Sequence, residues 1–227
     1  MVGARRAGAF LDRLGPADRA ALLDAGRPRR YRAGETIFLT GERGGDVVLI
    51  TGGRAKVTVA SRHGTETVLS LRGRGDVIGE LAAIDDDDTA PRGATVVALE
   101  AVDTRVVRSA DFRAIVARRP SMALELLRMV AERLRASDRR LVEFGASDTT
   151  RRLARLLAEM AEADATPTDG GLLLASNLTQ DDLAGLVGAS RESVARALAA
   201  LRARGFVATG RRQVVVLDLA GLRDHGR

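Results

Sequence analysis

Residues 178–205 run Leu178-Thr179-Gln180-Asp181-Asp182-Leu183-Ala184-Gly185-Leu186-Val187-Gly188-Ala189-Ser190-Arg191-Glu192-Ser193-Val194-Ala195-Arg196-Ala197-Leu198-Ala199-Ala200-Leu201-Arg202-Ala203-Arg204-Gly205, and the architecture of the chain turns on them. Thr179 is a capping residue for a helix over Gln180 to Val187, with Asp182 at its third position to return the bond. Gly188-Ala189 breaks that helix. Ser190 caps a second helix over Arg191 to Arg204, stopped by Gly205. Val194, Leu198 and Leu201 recur at i, i+4 and i+7, which makes one face of the second helix apolar. Beyond it, Phe206 to Ala208 and Val214 to Leu217 flank the turn Thr209-Gly210-Arg211-Arg212. Helix, glycine turn, helix and hairpin together spell a winged helix-turn-helix.

The polar face of the second helix has the residue types that a DNA groove requires. Arg191, Glu192 and Arg196 lie near its N-terminal end, the end of a recognition helix that enters the major groove. Arginine can clasp guanine through O6 and N7, and glutamate can accept from cytosine N4. Ser190 and the free N–H groups beside it suit a backbone phosphate. Thr179, Gln180, Ser193, Arg211 and Arg212 complete the expected DNA-contacting set. Between Arg191 and Arg212 there are six arginines against Glu192 alone. A solvated Glu192–Arg196 pair at i, i+4 is the plainer alternative, but it accounts for neither the capped helix before it nor the wing after it.

The total charge says less than its placement. The chain has 227 residues, 36 basic and 30 acidic, for a net +6, and Lys56 is the single lysine. A GC-rich coding sequence produces the same arginine bias. The apolar fraction of 45% is enough for packed cores, while 3% aromatics makes those cores aliphatic. The absence of Cys removes disulfides, thiolate zinc sites and iron–sulfur clusters. His63 and His225 are the only histidines, and a turn and a terminal tail are where they are expected. A catalytic metal in a β-barrel, the rival reading from the enzyme class, needs a convergent cluster that this composition does not offer. No apolar run is long enough to span a membrane and the N-terminus lacks a signal-like core, so a cytoplasmic protein with no membrane partner is expected.

Upstream, the texture from Tyr31 to about Val107 is β-like. Thr36 to Leu39, Val47 to Ile50, Ala55 to Val59, Thr67 to Leu71, Ala94 to Leu99 and Thr104 to Val107 are separated by glycine turns, as in a sandwich or barrel. A short helix is expected near Pro16, another over Ser109 to Arg118, and a long one over Ser121 to Phe144 that Gly145 ends. Leu127, Val130, Leu134, Ser137, Leu141 and Phe144 are spaced 3, 4, 3, 4, 3 along it, the heptad seam by which a helix packs on a like helix. Packing on its own β domain is the alternative. Thr149 to Ala161 is a further helix, Pro167 to Gly171 a loop, and Leu172 to Ala175 a short strand. The expected class is α+β. A β-roll domain with flanking helices covers residues 1–120, a dimerisation helix 121–145, and a winged helix-turn-helix domain 146–227.

The β domain carries a second motif. Gly79-Glu80-Leu81 follows Val77-Ile78, and Pro91-Arg92-Gly93-Ala94-Thr95-Val96 comes a little later. A glycine turn into a helix can offer N–H groups to an anion, Glu80 can accept from hydroxyls, and Arg92 can neutralise a phosphate. Between them lies Asp85-Asp86-Asp87-Asp88, a solvated hairpin tip or, less simply, a cation site.

These two motifs resemble those of the Crp/Fnr superfamily of transcription regulators, over nearly the whole chain. The segment from Leu178 to Val194, with its Arg191-Glu192-Ser193-Val194-x-Arg196 core, is similar to the helix-turn-helix of the cyclic-AMP-type branch. The resemblance implies that Arg191, Glu192 and Arg196 read G·C pairs of a palindromic half-site. It likewise implies a cyclic-nucleotide cassette in which Glu80 holds the ribose 2′-hydroxyl and Arg92 the cyclic phosphate. Gly79, Leu81 and Gly93 lie beside them, and Gly93 stands where the family's activators carry serine. Alignment along Ala131-Glu132-Arg133-Leu134 implies an adenine contact at Ser137, with Asp138 next to it. Further implications are a homodimer, RNA polymerase as a partner, and cyclic AMP or a related nucleotide as effector with no obligatory cofactor. A different effector, or none, is the nearest alternative. Haem and iron–sulfur sensing, known elsewhere in the superfamily, do not fit the missing Cys and scarce His.

Overall fold

A computed structural model of the chain describes residues 9–60, 66–85, 90–146, 148–174, 177–210 and 213–227, with the side chains of 141, 143–146 and 164 excepted. The contacts fall into two units, Met1–Glu66 with Ser70–Arg135, and Thr67–Leu69 with Ala136–Arg227.

The first unit begins with two short helices, α1 (Phe10–Arg13) and α2 (Pro16–Ala25), the second started by Pro16 at its first position. The strands β1 (Arg27–Tyr31), β2 (Thr36–Phe38), β3 (Asp46–Gly52), β4 (Ala55–Ala60), β5 (Glu66–Arg72) and β6 (Val77–Ile78) follow. Then come α3 (Glu80–Ile84), β7 (Thr95–Ala98), β8 (Val102–Arg108), α4 (Ser109–Ala117) and α5 (Pro120–Ala146), whose residues from Ala136 on count with the second unit. The strands make two four-stranded sheets, ordered β1-β8-β3-β6 and β2-β7-β4-β5.

β3 explains how this unit is layered. Its side chains alternate between faces, and both faces are covered. Val48 and Ile50 join Tyr31, Ala55, Ile78, Val96, Ala98 and Val102 in a core between the sheets. Val47 and Leu49 join Val107, Phe10, Leu22, Phe112, Met122, Leu126 and Met129 in a second core under the helices. That is why residues 47–50 read as an unbroken apolar run rather than an alternating one.

The second unit contains α6 (Thr149–Asp164), β9 (Thr166–Thr168), β10 (Gly171–Leu173), α7 (Gln180–Val187), α8 (Arg191–Ala203), β11 (Val207–Gly210), β12 (Gln213–Val216) and α9 (Leu219–His225). Leu153 and Leu157 of α6, Leu183 and Val187 of α7, Val194, Leu198 and Leu201 of α8, and Leu222 of α9 share one aliphatic core. The sheet order is β11-β12-β10-β9.

Four expectations are corrected. A strand, β1, precedes Tyr31 and pairs antiparallel with β8 from Arg27↔Val106 to Tyr31↔Val102. The loop expected at 167–171 is largely a hairpin, with β9 paired to β10 from Thr168↔Gly171 to Thr166↔Leu173. α5 runs on through Gly145 to Ala146, because one glycine costs a helix only about 1 kcal/mol. His225 is no loose tail but the last residue of α9, a helix capped by Asp218, whose side chain accepts from Gly221 N at 2.9 Å. Its ring lies 6.0 Å from that of Phe206. His63, Asp86 to Asp88, Arg211 and Arg212 lie outside the described residues.

Candidate effector cassette and DNA-reading surface

β6 delivers the chain to Gly79 in the left-handed conformation, φ 81° and ψ 3°, and α3 starts at the next residue. Glycine is required there twice over. A side chain would be strained at that φ, and a Cβ would come within 2.6 Å of Arg92 Nη1 and 2.9 Å of Asp46 O. Arg92 arrives from the other side of the sequence, aligned by two backbone bonds. Its N–H donates to Glu42 O at 2.9 Å, and its carbonyl accepts from Gly41 N at 2.8 Å.

The Arg92 side chain then crosses the cassette. Nη1 donates to Gly79 O at 3.2 Å and Nη2 to Asp46 O at 2.6 Å. The guanidinium carbon stacks 3.9 Å above the Phe38 ring. Arg92 is only 5% exposed, and burial pulls its pKa below the ordinary arginine value, with the more distant charges of Asp46, Glu80 and Glu42 opposing. Among the described residues no carboxylate makes an ion pair with it. A buried guanidinium held only by carbonyls and a ring is under-compensated, and an anion is what would complete it.

Glu80 lies beside it, 3% exposed. Its Oε1 accepts from Arg133 Nη1 of α5, and Arg133 Nη2 donates to Val77 O at 2.9 Å. Oε2 has no hydrogen bond among the described residues, so it can accept from a ligand hydroxyl. Arg133 is a candidate site residue that sequence reasoning missed, since nothing around it in the sequence points to Glu80, 53 positions away. Leu81 points outward at 61% exposure. Gly93 is exposed, and a Cβ there would meet nothing within 4 Å. Ser137 and Asp138 are exposed on α5, about one turn beyond Arg133.

The two faces of α5 are distinct. Met122, Leu126 and Met129 are buried against their own unit, with Val130 packed at the edge of that cluster. Leu127 and Leu134 are 66% and 63% exposed, and Leu124 is exposed with them. The helix therefore packs on its β domain one register away from the seam. The side chains of Leu141 and Phe144 lie outside the described residues.

In the second unit the helix-turn-helix is held by its caps. Thr179 Oγ1 accepts from Asp182 N at 3.1 Å, and Asp182 Oδ2 accepts from Thr179 N at 2.8 Å. This reciprocal box also occupies the Thr179 hydroxyl, which donates to Asp182. Gly188 closes α7 at φ 60°. Ser190 Oγ accepts from Ser193 N at 3.2 Å and so starts α8. Arg191, Glu192 and Arg196 are exposed together, and Gln180 is exposed at the start of α7. Arg196 Nη2 donates to Ser193 Oγ at 3.0 Å. No Glu192–Arg196 ion pair forms among the described residues. The Glu192 carboxyl is held below its ordinary range first by its own backbone N–H and then by the Ser190 hydroxyl. Arg202 Nη1 donates to Thr209 Oγ1 at 3.2 Å and ties α8 to the wing.

Residues 28–119 match the cyclic nucleotide-binding domain family and residues 151–225 the Crp-like helix-turn-helix domain family. The chain is 33% identical over 222 residues to a CRP-like cAMP-activated global transcriptional regulator of Mycobacterium tuberculosis, covering 98% of this chain and 97% of the relative. It is 30% identical to the cyclic AMP receptor protein of Thermus thermophilus, with 86% of each chain covered. In fold it is similar to the c-di-GMP-responsive global regulator CLP of Xanthomonas campestris. That likeness has a TM-score of 0.75 at 20% identity, over 90% of this chain and 100% of that one. No helix among the described residues is long and apolar enough to cross a membrane. No group of three or more metal-ligating side chains is found among them.

Proposed function

The chain belongs to the Crp/Fnr family of transcriptional regulators, and from that premise we propose a homodimeric, sequence-specific DNA-binding regulator whose β-roll answers to a cyclic nucleotide, cyclic AMP first among them. One observation carries the effector reading: Arg92 is buried, charged, and lacks a carboxylate partner among the described residues. A cyclic phosphate supplies the missing charge, and the free acceptor of Glu80 suits the ribose 2′-hydroxyl. Ser137, with Asp138 beside it, is the proposed adenine contact on α5.

Because Glu80 is already bound by Arg133, a ligand hydroxyl on Glu80 bears directly on α5. A nucleotide can shift the protein only to the extent that it prefers one arrangement of this pair over another. The exposed seam around Leu127 and Leu134 is the proposed contact between two copies. Two recognition helices related by a two-fold axis read a palindrome. On each, Arg191, Glu192 and Arg196 are proposed to contact bases, with Gln180, Ser190, Ser193, Arg211 and Arg212 on or near the backbone. Thr179 supports them as a cap. RNA polymerase is the further partner and the cytoplasm the place of action.

Calorimetric titration with cyclic AMP, cyclic GMP and cyclic dinucleotides tests the effector. Cyclic AMP is expected to bind at one site per chain, and Arg92→Ala to abolish that binding while leaving specific DNA binding measurable. Equal affinity in the variant would remove the cassette assignment. Saturable binding of a cyclic dinucleotide alone would change the ligand.

A further inference from the structure

The rotation of α8 is fixed by Val194, Ala197, Leu198 and Leu201, which are buried in the core of the second unit. At about 100° per residue, Arg202 falls within about 20° of Arg191 on the helix surface. It lies about three turns, or 16 Å, further along the axis. The residues between them on that side are Ala195 and Ala199, so no long side chain stands in the column. Arg204, by contrast, is on the other side of the helix and is turned to His225, its Nη1 2.9 Å from Nδ1.

A cation in the last turn of a helix is ordinarily a complement to the helix dipole. At this end, however, the carbonyls of Ala200, Leu201 and Arg202 already accept from the backbone N–H groups of Arg204, Phe206 and Gly205. The Arg202 side chain reaches across to β11 instead, where Nη1 donates to Thr209 Oγ1 at 3.2 Å. Thr209 is half-buried and paired with Val214 in the wing hairpin, so its hydroxyl is held by the sheet. That hydroxyl carries no charge, and no carboxylate pairs with Arg202 among the described residues. A guanidinium has more N–H donors than one hydroxyl can occupy. Arg202 is exposed, and its charge and remaining donors are open to solvent.

We propose that Arg202 is a DNA-backbone contact of this chain, with Thr209 as the positioning residue that aims its guanidinium at a phosphate. The inference rests on α8 being the helix whose N-terminal end enters the major groove. That groove is about 12 Å wide and 8.5 Å deep. A side chain about 16 Å behind the base-reading end therefore lies outside its depth, level with the phosphates at the rim. A guanidinium fork suits a phosphate oxygen pair. Backbone contacts fix register and orientation rather than sequence. Arg202 and Thr209 thus hold the far end of α8 on the duplex and join the helix and the wing in one contact.

The test is competition binding by the full-length protein, with cyclic AMP present, to a duplex that the wild-type protein selects from a randomised pool. Arg202→Gln should weaken binding about tenfold, equally for that duplex and for its single-base variants. It should also lower the slope of log affinity against log salt by about one per protomer. Thr209→Val keeps the charge, so it should weaken binding less and leave the slope unchanged, and Thr209→Ser should restore the affinity. Arg223→Gln, which removes an exposed arginine of α9, should change neither quantity. Unchanged affinity and slope in Arg202→Gln would overturn the contact while leaving base reading by α8 intact. So would equal losses in Arg202→Gln and Arg223→Gln, since net charge alone would then be at work, or a loss confined to one base pair. Full affinity in Thr209→Val would overturn the positioning role. If the wild-type protein selects no duplex, the recognition-helix reading itself falls, and this contact with it.

Discussion

At Gly93 the cassette has room for a side chain, since a Cβ there meets no atom within 4 Å. The family's activators place serine at this position, next to the residue matching Arg92. A hydroxyl would add one donor to a charged phosphate, so Gly93→Ser should tighten cyclic-nucleotide binding several-fold to about tenfold in calorimetry. An unchanged affinity would mean that the phosphate does not pass this residue. On the DNA side, Arg196→Ala should cost about 1–3 kcal/mol and relax the preference at one base pair, as read by competition binding with substituted duplexes. Uniform weakening over all sequences would instead make Arg196 a phosphate contact. The DNA-side candidates are local in sequence, two bases and an acid at a helix start, whereas Gly79 and Arg92 are 13 positions apart and meet only in the fold. Arg133 was not legible. Its meaning depends on Glu80, 53 positions away, and no local pattern announces a partner at that distance.

Among the elements, α5 can be divided by its two apolar faces. Met122, Leu126 and Met129 are spent on the core of their own unit, while Leu127 and Leu134 are left to solvent. Leu134→Asp should therefore leave the β-roll folded and give monomers by light scattering. A dimer of undiminished strength would place the interface elsewhere. The capped helices α7 and α8 were readable almost to the residue, because Thr179, Asp182, Gly188 and Ser190 punctuate them with side-chain bonds. The two strands that went unread, β1 and β9, share a reason. Arg27-Pro28-Arg29-Arg30 and Thr166-Pro167-Thr168 are mostly exposed, and each contains a proline. Neither alternation nor apolar content marks such a strand. Its partner alone makes it one.

For the molecule as a whole, pH acts through groups whose folded forms resist protonation. Burial first, and then Arg204, lowers the pKa of His225 from its ordinary 6.5. The unfolded chain therefore takes up that proton earlier, and the stability contributed by the neutral ring is present above pH 6.5 and lost as the pH falls below it. Glu132, bonded to Arg13, and Asp148, capping α6, are likewise lowered and add a further loss through the carboxylate range. The urea midpoint should drop between about pH 7.5 and pH 5.5, and His225→Gln should flatten that interval. If the variant keeps the full slope, another group is responsible. Net charge, by contrast, says little about function, since six arginines fall between Arg191 and Arg212 with Glu192 as the one acid among them. The two prolines have a consequence at this scale as well. β1 and β9 are the outermost strands of their sheets, where an unbroken row of amide donors would invite another chain to add itself. Pro28 and Pro167 each remove a donor from that row, and Arg27, Arg29 and Arg30 add repulsion between copies. Sheet-to-sheet growth into aggregates is thereby discouraged along both of these borders.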